Sequence, residues 1–184
     1  MPVFVSKRER RLWIFLLLIM IAIYATLGVV VSLTSYLRDR EVLTIGFFLC
    51  LGLIAVMVFI DGWRRNADKA EIIAWIGIFT VYLLMFLRMS IAEERGHLVE
   101  YSVVGVLVFS AIKERAKFNN IRHPYLIAML ITCLLGIFDE AIQYFIPIRV
   151  FDPLDMVFNT GAGVLAILSA MLISSIRKKT SKVK

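Results

Sequence analysis

Six apolar runs, each close to the length that crosses a bilayer and separated by short charged clusters, constrain this chain more than any other feature. A helix rises about 1.5 Å per residue, so about 20 apolar residues cover roughly 30 Å of hydrocarbon. Lipid offers the backbone no hydrogen-bond partner, and a helix is the structure that satisfies its own amides within one segment. The runs cover residues 12–37, 42–60, 72–92, 97–112, 124–144 and 153–176. The expected fold is therefore all-α: a polytopic bundle of six transmembrane helices, forming one domain over residues 1–184. With 60% hydrophobic residues and a mean hydropathy of +0.85, the composition excludes a soluble globular class.

Charge distribution orients the bundle. Lys7, Arg8, Arg10 and Arg11 precede the first run like the flank of a signal peptide. That run is too long for one and lacks a small-residue cleavage site, so it reads as a retained helix. Six spans put both termini on one side. Sixteen of the 21 Lys and Arg residues fall on that side, and Arg38, Arg40, Arg88, Arg95 and Arg149 fall on the other. Such a bias predicts cytoplasmic termini. The net charge of +7 is broken into short clusters between apolar runs, so nucleic acid is not an expected partner. Trp13, Trp63 and Trp75 lie near run ends as interfacial anchors. Cys50 and Cys133 sit inside apolar runs as small hydrophobes, without a disulfide framework.

Two polar clusters break the apolar pattern, both on the outward side. The first is Glu94-Arg95-Gly96-His97-Leu98-Val99-Glu100-Tyr101. Glu93 to Gly96 is expected to turn, with His97 opening the fourth helix and positions 97, 100 and 101 sharing one face. The second runs from Asp139 to Asn159. Asp139 and Gln143 share a face at the end of the fifth helix, which Pro124 opens. Residues 146–151 read as irregular, and Asp152-Pro153 starts a sixth helix on which Asp155 and Asn159 share a face. Carboxylates at membrane depth cost several kcal/mol unless paired, protonated or wet. They are expected to face the bundle interior, against Arg88, Arg95, Arg149 or His97, or to line a cavity. Gly161 and Gly163 are expected to let another helix approach closely.

His97-Leu-Val-Glu100-Tyr101, Asp139-Glu140-x-x-Gln143, Pro147-x-Arg149, Asp155 and Asn159 together resemble the VanZ-like family of small bacterial membrane proteins. The matching motifs span Glu94 to Gly163. Ile148 stands where the family usually has a glycine before the arginine, and Ala162 where another glycine is expected. The resemblance implies a multi-pass protein of the bacterial cytoplasmic membrane. The family's named member is associated with low-level resistance to the glycopeptide antibiotic teicoplanin. No reaction comes with the resemblance.

The site expected from these residues comprises Arg95, His97, Glu100, Tyr101, Asp139, Glu140, Gln143, Arg149, Asp155 and Asn159. Arginines grip phosphate or carboxylate bidentately, and acids take hydroxyl, amide or ammonium groups. Lipid-linked cell-wall precursors, glycopeptide-related ligands and anionic lipids carry such groups. An outward-facing binding cavity is thus the leading expectation. An intramembrane hydrolase or transferase using the carboxylates and His97 is a second reading. A polar network that only fixes helix packing is a third. A transporter needs a polar pathway, and the first two runs carry no ionisable residue at mid-depth. One imidazole with several carboxylates suits Zn²⁺, Mn²⁺ or a harder cation. No HExxH-type spacing is present, so neither a metal nor another cofactor is expected.

Overall fold

The computed structural model describes residues 3–38, 42–89, 92–145 and 153–180. Among the described residues there are six helices and no strand: α1 (Lys7–Arg38), α2 (Val42–Arg64), α3 (Lys69–Arg88), α4 (Ala92–Ala116), α5 (Pro124–Tyr144) and α6 (Pro153–Thr180). Among the described residues, four segments are long and apolar enough to cross a membrane, namely Lys69–Arg88, Arg95–Ala116, Pro124–Tyr144 and Pro153–Thr180. The chain is a membrane protein.

α5 begins and ends where the sequence places it, with Pro124 in its first turn. α4 does not. It starts at Ala92, so Glu93 to Gly96 are helical rather than a turn, and it continues past residue 112 to Ala116. Ala, Glu, Arg and Lys are strong helix formers, and one glycine costs about 1 kcal/mol, too little to stop a helix that has a packed face. His97 therefore lies more than a turn inside α4. The irregular segment expected over residues 146–151 lies outside the described residues.

The helices divide into two compact units. One holds the described residues up to Ser32 and those from Gly96 to Ile167, and the other holds Leu33 to Arg95 and Leu168 onward. In the first unit, Leu98, Tyr101, Val104 and Val108 form a buried stripe along α4, spaced by three and four residues. Ala128, Thr132 and Gly136 of α5 and Ala162, Ala166 and Ile167 of α6 are buried as well. Large apolar side chains such as Leu126, Leu130, Leu134 and Phe138 point outward instead. On α5 the small and polar residues are thus inside and the leucines outside, an arrangement that lipid permits because lipid is no less apolar than leucine.

Three glycines set how closely these helices approach. A Cβ added at Gly105 of α4 would stand 2.6 Å from the backbone oxygen of Gly163 on α6. One added at Gly163 would stand 2.3 Å from Thr132 Cγ2, and one at Gly136 would stand 3.0 Å from Asn159 Cβ. The expectation for Gly163 holds. Gly161 is corrected, since a Cβ added there would meet nothing within 4 Å among the described residues.

The other end of this unit carries a clamp. Glu9 in the first turn of α1 is wholly buried. Its carboxylate accepts from the Val5 amide at 2.7 Å, the Trp13 indole at 3.2 Å and Arg115 Nε of α4 at 2.6 Å. Ser6 donates to Glu114 at 3.2 Å, and Lys117 pairs with the same carboxylate at 2.6 Å. The second unit repeats the motif. Buried Glu71 in the first turn of α3 accepts from the Trp75 indole at 3.4 Å, from Arg177 Nε of α6 at 2.9 Å and from Arg65 at 3.3 Å. Arg65 also pairs with Asp61, four residues earlier. Phe48 packs edge-on against Phe86 with ring centroids 5.0 Å apart. Trp13 and Trp75 are thus hydrogen-bonded parts of these clamps, while Trp63 is exposed as an interfacial anchor would be.

Candidate functional site

The first unit gathers most of the expected polar residues at the end opposite Glu9 and Arg115. The antiparallel run of α4, α5 and α6 makes this unavoidable: the start of α4, the end of α5 and the start of α6 meet at one end. Along α4, His97 and Arg115 are 18 residues apart, about 27 Å. That nearly matches a hydrocarbon core of roughly 30 Å.

Asp139, Glu140 and Gln143 lie on the inner face of α5, and all three are buried. Gln143 Nε2 donates to Glu140 Oε1 at 3.0 Å, which orients the carboxylate from its own helix. His97 of α4 is 6% exposed, and its Nε2 stands 3.8 Å from Asp155 Oδ2 of α6. The Asp155 side chain is 18% exposed, which makes it the most open member of the group. Tyr101, one turn beyond His97, is wholly buried and donates its hydroxyl to the Leu135 carbonyl at 3.2 Å. Its ring centroid lies 6.5 Å from that of His97. Asn159 is also wholly buried, and its amide nitrogen and oxygen find no hydrogen-bond partner among the described residues. Glu100 is half-buried.

Most of the expected site is therefore one cluster: His97, Tyr101, Asp139, Glu140, Gln143, Asp155 and Asn159. Arg149 lies outside the described residues. Arg95 belongs to the second unit, where its guanidinium donates to the Met89 carbonyl at 3.1 and 2.9 Å. There it also sits 4.8 Å above the Phe86 ring. Arg88 is exposed in that unit, as a side chain reaching for the interface would be.

Sequence reasoning missed two contributors. Tyr24 of α1 lies within electrostatic reach of Asp139, as Tyr101 does, and its hydroxyl is buried. A phenol midway along an apolar run was the available signal. Thr132 is wholly buried and donates to the Ala128 carbonyl at 2.8 Å, which spends its hydroxyl within α5 and leaves its methyl against Gly163.

Chemically, the cluster combines carboxylates, an imidazole, two amides and phenols around the ends of three helices. Such a set can accept from hydroxyl, amide or ammonium groups, and His97, Glu140 and Asp155 offer ligand atoms all within 4.8 Å of one another. At the end of α5, Tyr144 and Phe145 are exposed and stack edge-on with centroids 5.4 Å apart. Aromatic rings of this kind concentrate where hydrocarbon meets headgroups.

A family model described as VanZ/LLP1 matches residues 12–174. Comparison with curated proteins and with solved structures finds no match.

Proposed function

Because the chain belongs to the VanZ-like family over most of its length, we propose that it is a six-span protein of the bacterial cytoplasmic membrane with both termini in the cytoplasm. In this reading its α4–α6 cluster takes up the polar headgroup of a lipid-linked ligand from the outer leaflet. The observation that carries the reading is the burial of Asp139, Glu140, Gln143 and Asn159 at one end of a membrane helix bundle. Polar side chains at that depth are costly and mark functional sites. Asp155 is the cluster's most open member, and the exposed Tyr144 and Phe145 support a position level with headgroups. The excess of Lys and Arg at the Glu9–Arg115 end supports an outward direction. Lipid-linked cell-wall precursors and anionic lipids supply hydroxyl, amide and phosphate groups from that side, with Arg149 as the expected phosphate partner. Altered handling of such a ligand is the route by which this member would influence glycopeptide sensitivity.

Native mass spectrometry of the purified chain tests the proposal. Wild type is expected to carry a lipid or precursor adduct that is lost in Asp139→Asn and in Arg149→Ala, with folded yield maintained. A wild-type protein without adduct, or adducts indifferent to both changes, sinks it. The close glycine contacts of α4 and α6 favour one competing reading, a network that serves packing alone. Under that reading the same variants lose folded protein in detergent in step with any loss of adduct.

A further inference from the structure

We propose that His97, Glu140 and Asp155 form a binding site for one first-row divalent cation, Zn²⁺ or Mn²⁺. No spacing along the chain announces it, because each ligand comes from a different helix: α4, α5 and α6. The site uses part of the proposed headgroup cluster yet goes beyond that reading, since an ion binds whether or not lipid is present.

Geometry is the first support. Three atoms no more than 4.8 Å apart lie within about 2.8 Å of their common centre, taking the widest triangle that separation allows. Zn²⁺ sits about 2.0–2.2 Å from imidazole nitrogen and carboxylate oxygen. Each ligand atom thus needs to move inward by at most about 0.8 Å, which a small torsional change in each side chain supplies. The 3.8 Å between His97 Nε2 and Asp155 Oδ2 is already close to a tetrahedral edge.

The donor set is the second support. One imidazole and two carboxylates suit a first-row ion better than Mg²⁺ or Ca²⁺, which favour oxygen alone. A neutral imidazole, two carboxylates and a divalent ion sum to zero charge, the least costly state at membrane depth. The surroundings also resemble the outer shell of a metal site. Gln143 fixes the Glu140 carboxylate at 3.0 Å, the kind of hydrogen bond that orients a ligating oxygen.

Asn159 supplies an independent pointer to a missing ligand. It stands one turn after Asp155 on the same face of α6, and its Cβ lies against α5 at Gly136, one turn before Glu140. It is wholly buried, and neither its amide nitrogen nor its oxygen has a hydrogen-bond partner among the described residues. Buried amides are rarely left so, and a water held by the ion is a partner of the right size and polarity.

The test uses full-length protein in detergent, stripped with a chelator, loaded separately with ZnCl₂ and MnCl₂, desalted and measured by elemental mass spectrometry. Wild type is expected to retain roughly one ion per chain, as a single site requires. His97→Ala and Asp155→Asn are expected to lose it at least about tenfold, while exposed His123→Ala retains it. Absent loading in wild type, or loading unchanged in both variants, overturns the site. Should the variants fail to fold, Co²⁺-loaded wild type decides: visible d–d bands support the site, and their absence overturns it. Ion lost with the lipid adduct intact, or the reverse, separates this proposal from the headgroup reading.

Discussion

Gly163→Ala is expected to destabilise the protein by about 1–3 kcal/mol, the usual cost of forcing a methyl into a packed core. The new Cβ would stand 2.3 Å from Thr132 Cγ2, and that methyl cannot swing aside freely because Thr132 donates to the Ala128 carbonyl at 2.8 Å. Thr132→Ser removes only the obstructing methyl and keeps the hydroxyl, so the double variant should recover most of the loss. Gly105→Ala should cost at least as much, and Thr132→Ser should not rescue it. Its Cβ meets the Gly163 backbone oxygen at 2.6 Å, and only movement of a whole helix relieves that. Gly161→Ala is the control, with nothing within 4 Å and a gain in helix propensity. Thermal unfolding in detergent reads all five variants. Equal behaviour of the three glycines would show that α4 and α6 do not make this contact.

Arg115→Ala is expected to have the second largest effect. Removing one partner of a fully buried ion pair costs about 3–5 kcal/mol, because the other charge is stranded. Glu9 is wholly buried, but the Arg115 side chain is 34% exposed, so solvent screening reduces the expected loss to about 1–2 kcal/mol. Glu9→Gln should cost less, since it strands no buried carboxylate. The pair also predicts a pH dependence. Burial pushes the Glu9 carboxyl up, but the Val5 amide, the Arg115 guanidinium and the Trp13 indole together outweigh burial and hold it below its ordinary value of 4.5. A lowered folded-state pKa means that the unfolded chain takes up the proton first as pH falls. The stabilisation is therefore complete above the ordinary carboxylate range and fades as pH drops through the lower folded value. Unfolding temperatures of wild type and Glu9→Gln should differ at neutral pH and converge in acid. A constant gap down to the acid limit would remove Glu9 from the account.

Much of the site was legible because polar residues in apolar runs have few places to go. Asp139 with Gln143, and Asp155 with Asn159, are spaced by one helical turn, and burial of Asp139, Gln143 and Asn159 follows from that spacing plus the cost of facing lipid. The start of α4 was misjudged because the charge of Glu93-Glu94-Arg95 suggested a loop, whereas those residues favour helix where one face is packed. Gly105 and Gly136 went unnoticed for a different reason. A glycine's role in a helix contact depends on which face meets a neighbour, and the crossing of α4 and α6 is not written in local spacing. The clamps had a local signal of which only the tryptophans were read, as interfacial anchors: Glu9 and Glu71 each open an apolar helix, and each has a tryptophan four residues on. What the chain order did not reveal was which arginine would reach them, Arg115 and Arg177 being 106 residues away in both cases.

The 18-residue step from His97 to Arg115 makes α4 a ruler with a polar mark at each end. A bilayer several ångströms thicker would draw one mark into hydrocarbon, and a thinner one would leave apolar side chains in water. Mismatch of this kind costs fractions of a kcal/mol per ångström and is relieved by tilt or by local deformation of the lipid. Under the proposed headgroup reading, acyl-chain length is consequently a variable that acts on the cluster directly: the bilayer whose thickness fits the ruler should hold His97 and Asp155 at the headgroup boundary.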